Sequence, residues 1–299
     1  MIEEIAPVFL FVLIGYIFKV AKEDISHELT EFVIYFSLPA LALSKIRHLE
    51  YNDIIFKVIG ISYVAMFIAF VFSLALGKLM KLSRKDLATF MMVSIFGNTS
   101  FVGFSYIESL YSMKEVVYAL VYDQLGTFVA LLTFGIAIIS WGANKQDSHK
   151  EHVLKQIFLS PPLIAIVVAV YFHGVDFPAY LEGILDKLQA TLIPLVTIIV
   201  GMKLELKSLG SYFKENVLAL FVKMFLTPLA MLGLMHLFFD MTKTWSKVTF
   251  LEIAMPPMTM ATVYAIKGGL NKNLAINALA LGILVSFVSI VAWNMFLGM

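Results

Sequence analysis

Long apolar stretches alternate with short polar ones along the whole chain, and this pattern predicts the secondary structure. Most of the apolar stretches are close to the roughly 20 residues that an α-helix needs to span the hydrocarbon of a bilayer. They lie at about 5–20, 30–46, 54–77, 87–111, 116–141, 153–173, 184–202, 216–239, 247–267 and 274–297. The pattern therefore predicts an all-α integral membrane protein with ten transmembrane helices.

The longest polar stretch, WGANKQDSHKEH at 141–152, leaves five predicted helices on either side. An odd number of spans inverts the second half relative to the first. We therefore predict two inverted five-helix repeats, at residues 1–141 and 153–299, joined by a cytoplasmic linker at residues 142–152. Weak internal similarity supports this repeat, because a shift of 160 residues lays FGNTSFVG (96–103) over PPMTMATV (256–263).

These two aligned stretches predict broken helices at matching positions. Pro256 and Pro257 remove two amide donors from the ninth helix, while Gly97 and Gly103 weaken the fourth. In secondary transporters built from inverted repeats, such discontinuous helices form the binding site, since their half-helix N-termini present free N–H groups and a positive dipole end. A simple kink, with the freed backbone groups satisfied by Thr or Ser side chains, is the alternative. Two more helix breaks are expected in the second and seventh helices, at Pro39 and Pro194.

Composition agrees with a membrane protein and removes several functional classes. Hydrophobic residues make up 60% of the chain and charged residues 14%, far from the values of soluble domains. The net charge of +1, without a dense cluster of Lys and Arg, argues against a nucleic-acid partner. The absence of cysteine excludes disulfides and thiolate chemistry, and the six histidines lack ligand spacing. We expect no metal site and no cofactor.

The distribution of basic residues predicts the orientation in the membrane. With the N-terminus outside, the loops on the cytoplasmic side hold fourteen of the 22 Lys and Arg residues and the opposite side seven, while Lys223 falls inside a helix. Both termini are therefore expected outside the inner or plasma membrane. Acidic Glu3 and Glu4 precede the first apolar stretch, where a signal peptide would carry positive charge, so we expect a retained helix.

Three ionisable residues fall at membrane depth, where each costs on the order of 2.5 to 3.5 kcal/mol and is a functional candidate by default. Glu252 lies one helical turn before Pro256 and could bind a proton or Na⁺, or accept hydrogen bonds from freed backbone groups. Lys223 is deep enough to serve an anion but also near enough to extend toward the interface. Asp123 lies at a similar depth, and an Asp123–Lys223 ion pair is the structural alternative.

Four stretches resemble the auxin efflux carrier family in its bacterial or archaeal form, related to the plant PIN proteins, and together they cover nearly the whole chain. They are FVIYFSLPALALSKI (32–46), GNTSFVGF (97–104), VYDQLGTFVALLTFG (121–135) and AMPPMTMATVYAIKGGLNKNLAINALALGILVS (254–286). Asn98 matches the family's substrate-contacting asparagine and Gln124 a polar residue lining the site. Ser105 departs from the pattern, since the family often has proline there.

The resemblance implies a secondary transporter that exports or exchanges small organic anions, auxin in plants and carboxylates such as malate or malonate in bacteria. It implies helices 4 and 9 crossing as an X, and a scaffold of helices 1, 2, 6 and 7 against which the remainder moves like an elevator. A homodimer through the scaffold helices is the expected assembly. The implied substrate-binding residues are Asn98, Thr99, Ser100, Gln124, Pro257, Met258 and Thr259, with Asp123, Lys223 and Glu252 as coupling or charge-compensating groups.

Other functions are weighed against this one. A proton- or sodium-coupled carboxylate symporter of the bile-acid-transporter-like fold, a channel, and a non-transporting sensor with the carrier fold stay open as alternatives. An intramembrane aspartyl protease is disfavoured, because Tyr122 and Asp123 supply only one half of such a site and the Gly-x-Gly-Asp half is absent. We therefore do not expect an enzyme.

Overall fold

The computed structural model describes residues 2–48, 53–143, 159–204 and 212–298, and within these ranges the chain is helical with no strand longer than an isolated bridge. Helices 4 and 9 are each divided into two halves. The helices are α1 (Ile2–Ala21), α2 (Ser26–His48), α3 (Asp53–Leu79), α4a (Arg84–Ile95), α4b (Thr99–Gly103 followed by Phe104–Leu110), α5 (Val116–Ala143), α6 (Pro161–Tyr171), α7 (Ala179–Lys203), α8 (Phe213–Phe238), α9a (Thr244–Ile253), α9b (Thr259–Lys267) and α10 (Lys272–Gly298).

Six of these helices, among the described residues, are long and apolar enough to cross a membrane: α2, α3, α5, α7, α8 and α10. Two shorter apolar helices lie at Ala6–Ala21 and Pro161–Tyr171. Side chains such as Phe56, Phe67 and Leu237 are more than 60% exposed on the outer surface, which suits contact with lipid rather than water. The protein is an integral membrane protein. Residues 144–152 of the predicted linker and 153–158 of the predicted sixth helix lie outside the described residues.

Helices α1, α2, α6 and α7 pack into one group. The closest approach is between α1 and α7, where two glycines let the backbones touch: a Cβ at Gly15 would lie 2.0 Å from the carbonyl oxygen of Ile198, and one at Gly201 would lie 1.9 Å from that of Val12. Small residues at helix crossings permit such packing in membranes. This contact makes α1 and α7 a single unit.

The remaining helices pack around the two breaks. Helix α4a contacts α3, α5, α8, α9b and α10, while α9a contacts α3, α5, α8 and α10. Gly282 lies on α10 where that helix faces the prolines, since a Cβ there would be 2.4 Å from Cδ of Pro257. Helix α4b also contacts α1 and α7, so it joins this second group to the first.

The sequence predicted helix breaks at Pro39 and at Pro194. The prediction is wrong for Pro39, where the helix continues, and near Pro194 a single turn residue interrupts the helix. Helix α2 continues through Pro39 after a wider π-helical stretch, Val33–Ser37. Pro39 is the second residue of the α-helical segment that follows, where a missing N–H and a fixed φ are tolerated. In α7 only Thr191 leaves the helix, and Pro194 lies in the first turn after it.

Candidate functional site

The two broken helices meet at their breaks. Helix α4a ends at Ile95 and α9a at Ile253, and the extended residues that follow form an antiparallel bridge between Gly97 and Pro257. The backbone N–H of Asn98 donates to the backbone carbonyl of Pro256 at 2.7 Å, and the backbone N–H of Met258 donates to the backbone carbonyl of Phe96 at 2.9 Å. Each break thus satisfies backbone groups of the other, which the apolar interior requires. We call this arrangement the crossover.

The side chain of Asn98 spans the crossover. It is fully buried, and its Nδ2 donates to Oγ1 of Thr259 at 3.1 Å. It makes no capping hydrogen bond to α4b. Among the described residues its amide oxygen has no hydrogen-bond partner. A buried amide oxygen without a partner costs about 1–3 kcal/mol, so this atom is available to a ligand.

The carboxylate of Asp123, which belongs to α5, lies at the N-terminal end of α4b and receives hydrogen bonds from two side chains. The hydroxyl of Thr99 donates to Oδ1 at 2.5 Å, Nε2 of Gln124 donates to Oδ2 at 2.6 Å, and the hydroxyl of Ser100 also interacts with the carboxylate. The chain's own carboxylate therefore occupies the helix end that the sequence assigned to a substrate carboxylate. Thr99, Ser100 and Gln124 are committed to Asp123.

Lys223 is buried beside the same bridge and does not extend to the interface. Its ammonium donates to the carbonyl of Ile253 at 2.7 Å, the last residue of α9a, whose carbonyl the helix break leaves free. Gly97 makes room for it, because a Cβ at Gly97 would lie 3.1 Å from Nζ. Among the described residues, Lys223 and Asp123 form no salt bridge. The alternative of an Asp123–Lys223 ion pair is therefore not observed.

Glu252 is fully buried on α9a, and neither carboxylate oxygen has a hydrogen-bond partner among the described residues. The alternative of a carboxylate bound to freed backbone groups is therefore not what is observed. The oxygens face Gly103, where a Cβ would lie 2.5 Å from Oε2 and 2.6 Å from Oε1.

Three sequence-predicted residues have structural positions that differ from expectation. Gly103 does not break α4; it lies within the resumed helix and accommodates Glu252. Pro257 takes part in the bridge, and the side chain of Met258 packs in an apolar cluster with α4a and α5. The sequence analysis did not single out Gly282, although a glycine in the middle of an apolar helix was visible in the sequence.

Comparison with known proteins gives consistent results. The family model described as "Membrane transport protein" matches residues 1–294. The chain is 26% identical to an uncharacterized transporter of Methanothermobacter thermautotrophicus, over 99% of this chain and 98% of that protein. It is 24% identical to an uncharacterized transporter of Methanocaldococcus jannaschii, over 96% of each chain.

Proposed function

Because this chain belongs to the membrane transport protein family, which is the auxin efflux carrier family, we propose that it is a secondary transporter of small organic anions with its substrate site at the crossover. We further propose ten spans in two inverted repeats, with both termini outside the cell. The single observation that supports the site best is the buried Asn98 amide, which joins both broken helices and keeps one polar atom without a protein partner.

The Asn98 amide can serve either form of a carboxyl group. The hydroxyl of Thr259 both donates and accepts, so a 180° rotation of the amide preserves the hydrogen bond between the two side chains. With the oxygen uncommitted, as in the structure, Asn98 would accept from a protonated carboxyl group. With the NH₂ outward, it donates to a carboxylate. Lys223, beside Gly97 on the same bridge, supplies the positive charge that a carboxylate needs.

Replacing Asn98 tests this site. We expect Asn98→Ala to weaken substrate affinity about 10-fold to 150-fold, since a hydrogen bond to a charged group contributes about 1.5 to 3 kcal/mol. The melting temperature should fall only modestly, because the substitution removes the hydrogen bond to Thr259 but no side-chain capping bond to α4b. The measurement is saturable counterflow of radiolabelled carboxylates in liposomes, together with thermal unfolding of the same purified protein.

Asn277→Ala is the matched control, since it removes a buried asparagine on α10 outside the crossover. It should leave affinity unchanged. Intact affinity in Asn98→Ala would remove Asn98 from the site, while linear, non-saturable flux in the unmodified protein would indicate a channel.

Membrane potential alone is sufficient to drive export of an anion. Moving one elementary charge across the membrane is worth about 2.3 kcal/mol per 100 mV, so an interior-negative potential of about 100 mV would concentrate a monoanion outside about 50-fold.

Glu252 supports a second candidate, transport coupled to H⁺ or Na⁺. A buried ionised carboxylate without hydrogen bonds is costly, so a proton or a cation is the natural companion of this group. A neutralised Glu252 leaves the charge of Lys223 to the substrate anion.

Glu252→Gln separates the two candidates, because glutamine keeps the shape of the side chain and cannot ionise. If transport is coupled, the variant should lose the response of the transport rate to pH or Na⁺ gradients while retaining counterflow. If the unmodified protein responds to neither gradient, coupling is wrong and the potential-driven carrier stands.

A further inference from the structure

A concave surface lies between α3, α4a and α5, next to the crossover at Phe96. It is a groove of about 620 Å³, with α4a as its floor and α3 and α5 as its walls. The walls meet at one end, where α5 is π-helical over Tyr122–Phe128 and Gly126 lies so close to α3 that a Cβ would be 2.2 Å from Oγ of Ser62. From that contact the helices separate toward their C-terminal ends.

The lining of the groove is aromatic and aliphatic. Phe67, Phe134 and Trp141 form an exposed rim, and Met91, Ile95 and Phe96 lie on the floor. The hydroxyl of Tyr63 at the deep end donates to the carbonyl of Leu125 at 3.1 Å. The deep end therefore presents no uncommitted side-chain donor, which makes the groove unsuitable for a polar solute.

The length of the groove matches one leaflet of a bilayer. Tyr63 and Leu74 on α3 are eleven residues apart, and so are Ala130 and Trp141 on α5, which corresponds to about 17 Å of helix. One leaflet contributes about 15 Å of hydrocarbon, half of the total thickness. An acyl chain about as long as one leaflet therefore matches the length of the groove.

The outer end of the groove is basic. The guanidinium of Arg84, at the start of α4a, lies 5.2 Å from the ring centroid of Trp141. Lys78, Lys81 and Lys85 are neighbours in the chain at this same end. A cation beside an aromatic ring at the membrane interface suits the headgroup of an anionic lipid.

We propose that this groove is a binding site for one anionic phospholipid, with an acyl chain along α4a and the phosphate at Arg84. The site is separate from the transport site and does not depend on the proposed substrate. Its position beside Phe96, the residue whose carbonyl accepts from Met258 at the crossover, places the lipid against the group of helices that carries the broken segments.

Native mass spectrometry of the full chain, equilibrated with equal amounts of phosphatidylglycerol and phosphatidylcholine, tests the headgroup. We expect about fivefold more phosphatidylglycerol bound, the preference that one basic residue near an anionic lipid provides. Arg84→Gln should abolish the preference, and Arg84→Lys and the control Lys243→Gln should keep it. Equal retention of both lipids by the unmodified chain, or an unchanged preference in Arg84→Gln, would overturn the proposal.

Filling the groove tests the acyl chain. Ala137 lines the groove and is exposed, so Ala137→Trp occupies the space without disturbing the core. It should reduce retention of both lipids severalfold, whereas Val167→Trp on the exposed face of α6 should not. Unchanged retention in Ala137→Trp, or a change of oligomeric state without loss of lipid, would show that the groove holds no lipid and would refute the site.

Discussion

Gly103 carries no side chain, and this absence decides where the carboxylate of Glu252 can lie. Gly97 does the same for the ammonium of Lys223. The two glycines flank Asn98 in sequence, so one short stretch of chain accommodates the carboxyl group of Glu252 from α9a and the amino group of Lys223 from α8. The glycines thus serve the packing of charged groups from other helices, in addition to any effect on the backbone.

We predict that Gly103→Ala lowers the melting temperature and that Glu252→Ala in the same chain restores most of the loss. The methyl group would lie 2.5 Å from Oε2 of Glu252, and overpacking of this kind costs about 1–3 kcal/mol. Truncating Glu252 removes the atoms that clash. Thermal unfolding of the four forms gives the coupling energy, and strictly additive effects would contradict the contact.

The sequence predicts some of this site but not its pairings. The missing amides of Pro256 and Pro257 are a local property, and the repeat alignment lays Thr99 over Thr259, which places both stretches at the crossover. The contacts of Thr99 and Ser100 with Asp123 could not be predicted, because they depend on the rotation of α5 relative to α4b, whereas Gln124 is the sequence neighbour of Asp123 on α5. The contact between Gly103 and Glu252 joins residues distant in sequence, and no spacing encodes it.

At the scale of helices, π-helical stretches interrupt the α-helical hydrogen bonding of α2, α4b, α5 and α8, and α5 contains a second one at Leu131–Gly135. Stretches of π-helix occur next to Pro39, at the start of α4b, around Asp123 and around Lys223. A π-helical turn leaves backbone carbonyls displaced and is frequent at functional sites. Apolar periodicity predicts where helices run but is nearly the same for α- and π-helical turns, so this feature was not visible in the sequence.

The α1–α7 contact gives a test at this scale. We predict that Gly201→Ala destabilises the protein by about 1–3 kcal/mol, because its Cβ would lie 1.9 Å from the carbonyl oxygen of Val12 and the helices would have to separate. Gly233→Ala on α8 is the control, since a Cβ there meets nothing within 4 Å. Its melting temperature should be unchanged or higher. Equal effects of the two substitutions would argue against close packing of α1 on α7.

At the scale of the molecule, the orientation in the membrane is a prediction from charge alone. The chain has no cysteine, so single cysteines report one position each. We predict that Ser112→Cys reacts with an impermeant maleimide added to intact cells and that Lys214→Cys reacts only after the cells are opened, since both positions are exposed and belong to loops assigned to opposite sides. The reverse pattern would invert the topology, with both termini inside.

An elevator motion, which the family resemblance implies, would require α4b to slide against α7 while α1, α2, α6 and α7 stay together. Two hydrogen-bonded Ser–Thr pairs, each 2.7 Å apart, mark the two kinds of contact. Ser105 and Thr197 join α4b to α7, and Ser37 and Thr191 join α2 to α7.

We predict that a disulfide between cysteines at 105 and 197 stops transport and that reduction restores it, because the bond joins a moving helix to the scaffold. A disulfide between cysteines at 37 and 191 joins two scaffold helices and should leave the transport rate within about twofold of the reduced form. The measurement is counterflow in liposomes before and after reduction, with cross-linking checked on the same samples. Full transport with the 105–197 disulfide closed would mean that α4b and α7 move as one body, and the moving boundary would then have to lie elsewhere among the helices.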